Sequence, residues 1–520
     1  MKKVLLIIID ACSSRVVIPA IESGRFPVLK KLIAHGVLKD ECISVFPSIT
    51  PAATSSIITG TYPQEHGIIG AYWYDAETND VAYYGDDIWV ILKHGLGEFF
   101  EDFLVKLNHR RLHGLTLFER IEDSGLKAAC INFFIYHGRH EHDVHTPFLL
   151  GMLPGVPFTT KVSGPSILCL GDFVSTELRN TETVFETDGG VFKRFGFEDS
   201  CTADVLLKLA ETKSLPDFTL AYFPDNDHLS HHVGPENALE AIEKVDGSLG
   251  KVAETFGGIE KMLEEFCVIL TGDHSQSDIL PEESAGILID DVLKEFSVAS
   301  PGNTWEGDEQ IMVCPNLRVA QLYFRNSSHE HIEKVMSCLL ADERIDQVLW
   351  RGSVFKSDAA GWHIATRDRG TLYFWAGDDG ENTARDVYGC AWSWVGNLAT
   401  VDGFLKDGTI TFKNYPNAFE RIAAGLQCEN SGDLWVTARL GYECSITDGA
   451  VHHGGGSHGS LHAMDSIAPL IVAGAPETSI IPDNPRIVDL AGIILPILGL
   501  PPYHTADESH VAFKEFSQQA

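Results

Sequence analysis

Three apolar runs in this chain end on side chains that bind cations. Val4-Leu5-Leu6-Ile7-Ile8-Ile9 ends on Asp10, and Cys267-Val268-Ile269-Leu270-Thr271-Gly272 ends on Asp273-His274. Phe218-Thr219-Leu220-Ala221-Tyr222-Phe223 leads through Pro224 into Asp225-Asn226-Asp227-His228-Leu229-Ser230-His231. Carboxylate oxygens and imidazole nitrogens are the donors that a pair of divalent cations takes, and such a pair supports hydrolysis. A fourth segment, Phe46-Pro47-Ser48-Ile49-Thr50-Pro51, offers an alcohol. Proline suits the first position of a helix, so Thr50 is expected at the N-cap, where free N–H groups and the helix dipole favour an anion. An alcohol there, next to a metal, can be deprotonated and attack phosphorus, and the same N–H groups can hold a phosphoryl oxygen. A plain capping threonine gives the same local pattern.

The elements that must position these groups follow from the pattern around them. Each apolar run is short and rich in β-branched or aromatic residues, which reads as a buried parallel strand. In open α/β sheets the carboxyl ends of such strands form the ligand crevice. The expected fold is therefore α/β: a large, mostly parallel central sheet with helices on both faces. Helical spacing runs from Ile21 to Val37, ending near Gly36. Residues 76–190 are loop-rich, with Pro147, Pro154, Pro157 and Pro165 around a helix at 116–124 and a strand at 126–134. The α/β rhythm returns as helix 202–212, strand 217–223, helix 236–254 and strand 266–271. From Ile289 to about Gly425 the pattern is mixed α+β with Trp350, Trp362, Trp375, Trp392 and Trp394, expected as core rather than a binding platform. Leu434–Ala438 and Ile467–Ala473 read as strands, and 487–498 as a closing helix. The expected division is a catalytic α/β domain of 1–280 and 431–520, with 76–190 as elaboration, and an inserted cap of 281–430.

The chain has 520 residues and a net charge of −34, from 39 Lys+Arg against 73 Asp+Glu. That balance argues against duplex nucleic acid, which needs basic stripes. A small phosphorylated substrate is still expected, because two divalent cations invert the local field. The longest apolar stretch, Leu490 to Leu500, is too short to cross a bilayer, so no membrane partner is expected. Met1-Lys2-Lys3 and the apolar run after it end at Asp10 without a cleavage-site pattern. Eleven cysteines, an odd number with no Cys-x-x-Cys pair, read as mostly buried thiols and suit the cytoplasm.

Phe46-Pro47-Ser48-Ile49-Thr50-Pro51, continued by Thr59-Gly60-Thr61-Tyr62-Pro63-Gln64-Glu65-His66-Gly67-Ile68-Ile69, resembles the nucleophile region of the nucleotide pyrophosphatase/phosphodiesterase branch of the alkaline phosphatase superfamily. Asp10 after the first strand, Asp227-x-x-x-His231-x-x-Gly234-Pro235, Asp273-His274, Gly456-Ser457-His458-Gly459 and the Asp489–Leu500 segment resemble that family's other motifs, in its order. The likeness covers roughly 1–75, 200–280 and 430–505.

The resemblance implies two zinc ions, with manganese as the alternative. One would be held by Asp10, Thr50, Asp273 and His274, the other by Asp227, His231 and His458. Asp227 and His231 are four apart, so on a helix both face one way. Asp225, His228 and His232 are rivals in that segment, as His452, His453 and His462 are around His458. The implied activity is phosphodiester or phosphoanhydride hydrolysis through a phosphothreonine at Thr50, on a small phosphorylated substrate, including nucleotides. A phosphomonoesterase or phosphonoacetate-type hydrolase fits the same ligands, and a catalytically silent metal-binding sensor or scaffold is the reading from another class. Two positions depart from the family pattern: Ala71 stands where an Asn usually donates to a phosphoryl oxygen, and Pro51 where an aromatic often follows the nucleophile. Arg139, in the His-rich stretch 137–145 expected at the pocket rim, is a candidate phosphate partner. Cys12-Ser13-Ser14-Arg15 slightly resembles a sulfatase cysteine motif but has the wrong spacing.

Overall fold

The computed structural model describes residues 2–84, 101–145, 159–176, 191–355 and 361–501. Pro147, Pro154 and Pro157 of the loop-rich stretch lie outside them. An eight-stranded sheet forms the centre, in the order Gly36–Ile43, Ile467–Ala473, Phe266–Thr271, Lys3–Ile9, Phe218–Phe223, Ala128–Ile131, Ile167–Leu170 and Val174–Ser175. The pairs from Phe266–Thr271 across to Ile167–Leu170 are parallel, while Ile467–Ala473 and the short edge strand Val174–Ser175 run antiparallel to their neighbours.

Continuous hydrophobicity in Lys3–Ile9 has a direct structural reason. Val4, Leu6 and Ile8 enter one core and Leu5, Ile7 and Ile9 enter another, so both faces of the strand are covered. One face is roofed by helices Ser14–Glu22, Pro27–Ala34, Asp199–Glu211 and Leu239–Thr255, and the other by Thr50–Thr59, Leu117–Asp123 and Leu490–Ile497. Each fully buried Leu or Ile contributes roughly 1.5–3 kcal/mol over its exposed state.

Two expected helices divide differently. The 21–37 segment is the tail of Ser14–Glu22, a turn, and Pro27–Ala34, while Gly36 opens a strand. Gly24 at φ 87 ends the first helix, and Phe26 before Pro27 is excluded from the helical region. The 236–254 helix starts at Leu239, because Gly234 at φ 80 closes Asp225–Val233 and Pro235 follows.

A second sheet of ten strands spans Ile311–Asn316 to Thr409–Phe412. It also takes in Leu434–Ala438, which lies between Val319–Phe324 and Ile345–Arg351 rather than in the central sheet. One face packs against helix His329–Ala341, and the other enters the same core as Thr50–Thr59. Trp362, Trp392 and Trp394 lie on that inner face and are buried. Helix Ala418–Leu426 is buried at every position. Phe419 stacks on Phe374 of the second sheet at 4.2 Å, and Arg421 donates to Val45 O and Leu461 O at 3.0 and 2.9 Å.

Candidate active site

Register brings the three strand ends together. Ile9 pairs with Phe223 and Ile8 with Thr271, so Asp10, the Asp225–Val233 helix and Asp273-His274 emerge at one edge of the sheet. Ala11, at φ 53, turns the chain back so that its N–H donates to Asp273 Oδ1 at 3.3 Å. The fourth contribution crosses from the other face. Helix Thr50–Thr59 begins at Thr50 itself, with extended Ile49 as the cap residue. Thr50 is thus the first helical residue rather than the N-cap, and its side chain is free for another partner. Its Oγ1 lies 3.0 Å from His274 Nε2.

The seven expected residues meet at one cavity of about 350 Å³. Asp10, Thr50, Asp227, His231 and His458 line it, and Asp273 and His274 lie fully buried behind them. Two groups have donor atoms within 4.8 Å of one another: Asp10, Asp273 and His274, and Asp227, His274 and His458. His274 Nε2 is 3.3 Å from Asp10 Oδ1 and 3.6 Å from Asp273 Oδ2. His458 Nε2 is 3.6 Å from Asp227 Oδ1, and His231 Nε2 is 3.3 Å from Asp227 Oδ2.

The surroundings fix the histidine tautomers. His274 Nδ1 donates to Ser275 O at 3.2 Å, His231 Nδ1 to Gly456 O at 2.8 Å and His458 Nδ1 to Ser48 O at 2.7 Å. A carbonyl only accepts, so each Nδ1 carries a proton and each Nε2 is the ring nitrogen turned toward the carboxylates. The carboxylates are each held by one oxygen. Tyr222 OH donates to Asp10 Oδ2, Gln276 Nε2 to Asp227 Oδ1 at 2.5 Å, and the amides of Ala11 and His274 to Asp273 Oδ1. Asp10 Oδ1 and Asp273 Oδ2 are buried without a hydrogen-bond partner.

Electrostatics alone leaves this arrangement unbalanced. Burial, then the charges of Asp273 and Asp227, push Asp10 well above the usual carboxylate range. Burial also raises Asp273. At Asp227 burial acts upward but the imidazoles of His231 and His458 outweigh it and hold the group well below its ordinary value. Three acids and three imidazoles that present Nε2 to the same cavity, with two carboxylate oxygens lacking a hydrogen-bond partner, are a donor set that fits divalent cations.

Other expected participants lie elsewhere. Arg139 binds Asp123 and Glu119 at 2.8 Å each and does not line the cavity. The phosphate role expected for it is withdrawn: those acids already hold its guanidinium. No described residue of 137–145 lines the cavity; His140–His145 is a strand paired with Thr159–Gly164. Asp225 bonds Arg194, and His228 and His232 pack on each other at 4.9 Å on the cavity wall, outside both ligand groups. His453 donates to Glu282 O, and His462 accepts from Met464 N as a helix cap. His452 does reach the cavity: its Nδ1 is 2.9 Å from buried Glu443 and its ring is 4.2 Å from His231.

Sequence reasoning did not find Tyr222, Gln276, Glu443 or Arg194. Tyr222 and Gln276 sit within strands and loops already singled out, but only the fold shows which acid each meets. Ala71 lines the cavity beside Asn316 of the second sheet. Asn316 Oδ1 accepts from Ala71 N and Tyr72 N at 2.7 and 3.0 Å, and its Nδ2 donates to Tyr72 O and Cys314 O at 2.7 and 3.3 Å. Both ends of that amide are engaged with backbone, so it does not stand in for the absent donor at 71.

The family model for type I phosphodiesterase / nucleotide pyrophosphatase matches residues 4–461. Among solved structures, phosphonoacetate hydrolase from Sinorhizobium meliloti 1021, in complexes with phosphonoformate and with phosphonoacetate, superposes with a TM-score of 0.54 at 17% identity over 96% of each chain. Murine ectonucleotide pyrophosphatase / phosphodiesterase 5 superposes with a TM-score of 0.55 at 13% identity, again over 96% of each chain. The architecture is alkaline-phosphatase-like, with a mostly parallel central sheet and helices on both faces.

Proposed function

The chain belongs to the type I phosphodiesterase / nucleotide pyrophosphatase family, and is thus a hydrolase of phosphoric esters or anhydrides; we propose that it works through Thr50 as nucleophile at a centre for two divalent cations. The observation that carries this reading is the position of Thr50 Oγ1, 3.0 Å from His274 Nε2, next to two buried carboxylate groups with unpaired oxygens. Asp10, Thr50, Asp273 and His274 would hold one ion, and Asp227, His231 and His458 the other. The mixed oxygen and imidazole set favours zinc, with manganese as the second choice. When bound, such ions lower the pKa of an alcohol or water and neutralise charge on phosphoryl oxygens.

The chain supplies the rest. Thr50 Oγ1 forms a bond to phosphorus as the bond to the leaving oxygen breaks. Water then cleaves the phosphothreonine, giving the phosphorylated product and restoring the threonine hydroxyl. The first turn of Thr50–Thr59 has backbone N–H groups with no intrahelical partner, and these are the donors for a phosphoryl oxygen in the absence of a side-chain amide at 71. Tyr222 and Gln276 hold Asp10 and Asp227 in place. A silent sensor has no use for an alcohol so placed.

The inserted unit of 281–430 contributes Pro315, Asn316 and Leu317 to the cavity wall, so it shapes the substrate. No helix among the described residues is long and apolar enough to cross a membrane. All eleven cysteines are free thiols, ten of them buried, which supports a reducing, cytoplasmic setting; cell fractionation tests it. The activity is tested by assaying zinc- and manganese-loaded protein on bis-p-nitrophenyl phosphate, p-nitrophenyl phosphate, a p-nitrophenyl nucleotide ester and phosphonoacetate. Turnover of the diesters before the others supports the reading. A preference for the monoester or the phosphonate replaces it, and no turnover of any of them overturns it.

A further inference from the structure

Arg194 is the only lysine or arginine among the described residues that line the cavity. Its setting is built rather than incidental. Arg194 and Phe195 have φ of 46 and 54, the left-handed region that residues with side chains rarely adopt. The turn is locked from outside: Phe195 O accepts from Asp172 N at 2.7 Å, and Phe195 packs on Phe173 at 5.8 Å. Gly171 lies so close that a Cβ there would be 2.1 Å from Phe195 O. Strained backbone held this way fixes where a side chain points, and it concentrates at ligand clamps.

The guanidinium bonds Asp225, in the first turn of the helix that carries Asp227 and His231. Both partners are about one-third exposed, at 37% and 32%. Such a pair is weak, and an incoming anion exchanges readily for it. A guanidinium has five N–H donors, so one carboxylate leaves it capacity. Arg194 belongs to neither cluster of metal-type ligands, yet it shares their cavity. In a chain of net charge −34, a fixed positive charge at this point is selective.

We propose that Arg194 anchors a second anion subsite, which takes a negatively charged oxygen group on the part of the substrate that does not react. The preferred substrate is then a phosphoric ester or anhydride with a further fixed anion, such as another phosphate or a carboxylate. This rests on the Thr50 centre as the place where the reacting phosphoryl sits.

The test uses binding, so it does not depend on turnover. Zinc-loaded protein is titrated calorimetrically with propylphosphonate and with 2-sulfoethyl-, 3-sulfopropyl- and 4-sulfobutylphosphonate, because sulfonate is a fixed anion and a poor metal ligand. At least one sulfonate compound should bind about tenfold tighter than propylphosphonate, the effect of one charge-assisted pair. Arg194→Ala should erase that preference while metal content and propylphosphonate affinity stay as in the wild type. Asp225→Asn, which releases the guanidinium, should enlarge it. Equal binding of all four ligands by the wild type, or a sulfonate preference that survives in Arg194→Ala, overturns the subsite alone. Failure of propylphosphonate itself to bind overturns the Thr50 centre, and the subsite with it.

Discussion

Tyr222 reaches across from the strand next to that of Asp10 and donates its hydroxyl to Asp10 Oδ2, leaving Oδ1 as a buried acceptor with no hydrogen-bond partner, turned toward His274 Nε2. One oxygen of the acid is thereby tied to the protein and the other is presented. Gln276 does the same to Asp227 from the loop after His274. Partners of this kind typically change metal affinity by about 10- to 100-fold. Tyr222→Phe and Gln276→Leu should each weaken zinc binding by that order, measured by competition with a chromophoric chelator. Unchanged affinity would mean that the two side chains only fill space.

Removing metal should also cost stability, because unpaired buried carboxylate oxygens are expensive. Zinc at about 100 times its dissociation constant should add about 2.7 kcal/mol to unfolding, seen as a higher Tm in scanning calorimetry. Elemental analysis should find about two ions per chain. A Tm indifferent to both zinc and chelator would count against the centre.

Thr50→Ala should lower turnover on the order of 10³-fold or more, since it removes the covalent route. Thr50→Ser should retain part of the activity. Mass spectrometry of protein acid-quenched during turnover of a phosphodiester should find the retained phosphoryl monoester of the substrate on Thr50 in the wild type and none in Thr50→Ala. Near-native turnover by Thr50→Ala would reduce Thr50 to a helix-starting residue.

Ala71→Asn tests the open donor position. Losing an oxyanion donor typically costs about 3 kcal/mol of transition-state stabilisation. The structure leaves the slot open, because the Asn316 amide beside it is bonded to backbone at both ends. The variant should therefore hydrolyse bis-p-nitrophenyl phosphate faster than wild type. A slower rate would show another group already there, and an unchanged rate would show that residue 71 does not face the phosphoryl group.

His66 should make the fold acid-sensitive. It is fully buried, accepts from Ile68 N at Nδ1 (3.2 Å) and donates from Nε2 to Ser56 Oγ at 2.8 Å, so a second proton has no acceptor. Burial, then the charge of His113, lowers its pKa from 6.5 to about 3. A lowered histidine pKa stabilises the fold fully above about 6.5 and loses that contribution as pH falls toward 3. The loss over that window is on the order of 5 kcal/mol. Denaturant unfolding of wild type and His66→Gln across pH 7 to about 4 should show the wild type losing its advantage as pH drops; a constant difference would refute it.

The central sheet was legible because Val4–Ile9, Phe218–Phe223 and Cys267–Thr271 are apolar on both faces, a signal confined to a few residues. The convergence of Asp10, Asp227 and Asp273 followed from where those runs stop. The helix broken at Pro27 and the start of helix Thr50–Thr59 depended on turn geometry, to which periodicity is blind. Leu434–Ala438 was legible as a strand but not as a member of the second sheet, since pairing with Ile345–Arg351 is a long-range choice. Tyr222, Gln276 and Arg194 escaped for the same reason: a tyrosine in a strand or an arginine in a loop has no meaning until its partner is known. Arg139 shows the converse error, a chemically suitable residue committed to Asp123 and Glu119.

The wholly buried helix Ala418–Leu426 has a mechanical consequence. Through Phe419 it is fastened to the second sheet, and through Arg421 to the chain just before the nucleophile segment. Glu420 at the same time pairs with Arg486 at 2.8 Å. Neither sheet can melt without stripping this helix of its shell, so heat should take both down in a single transition. The cavity between them would then vanish at once rather than loosen wall by wall.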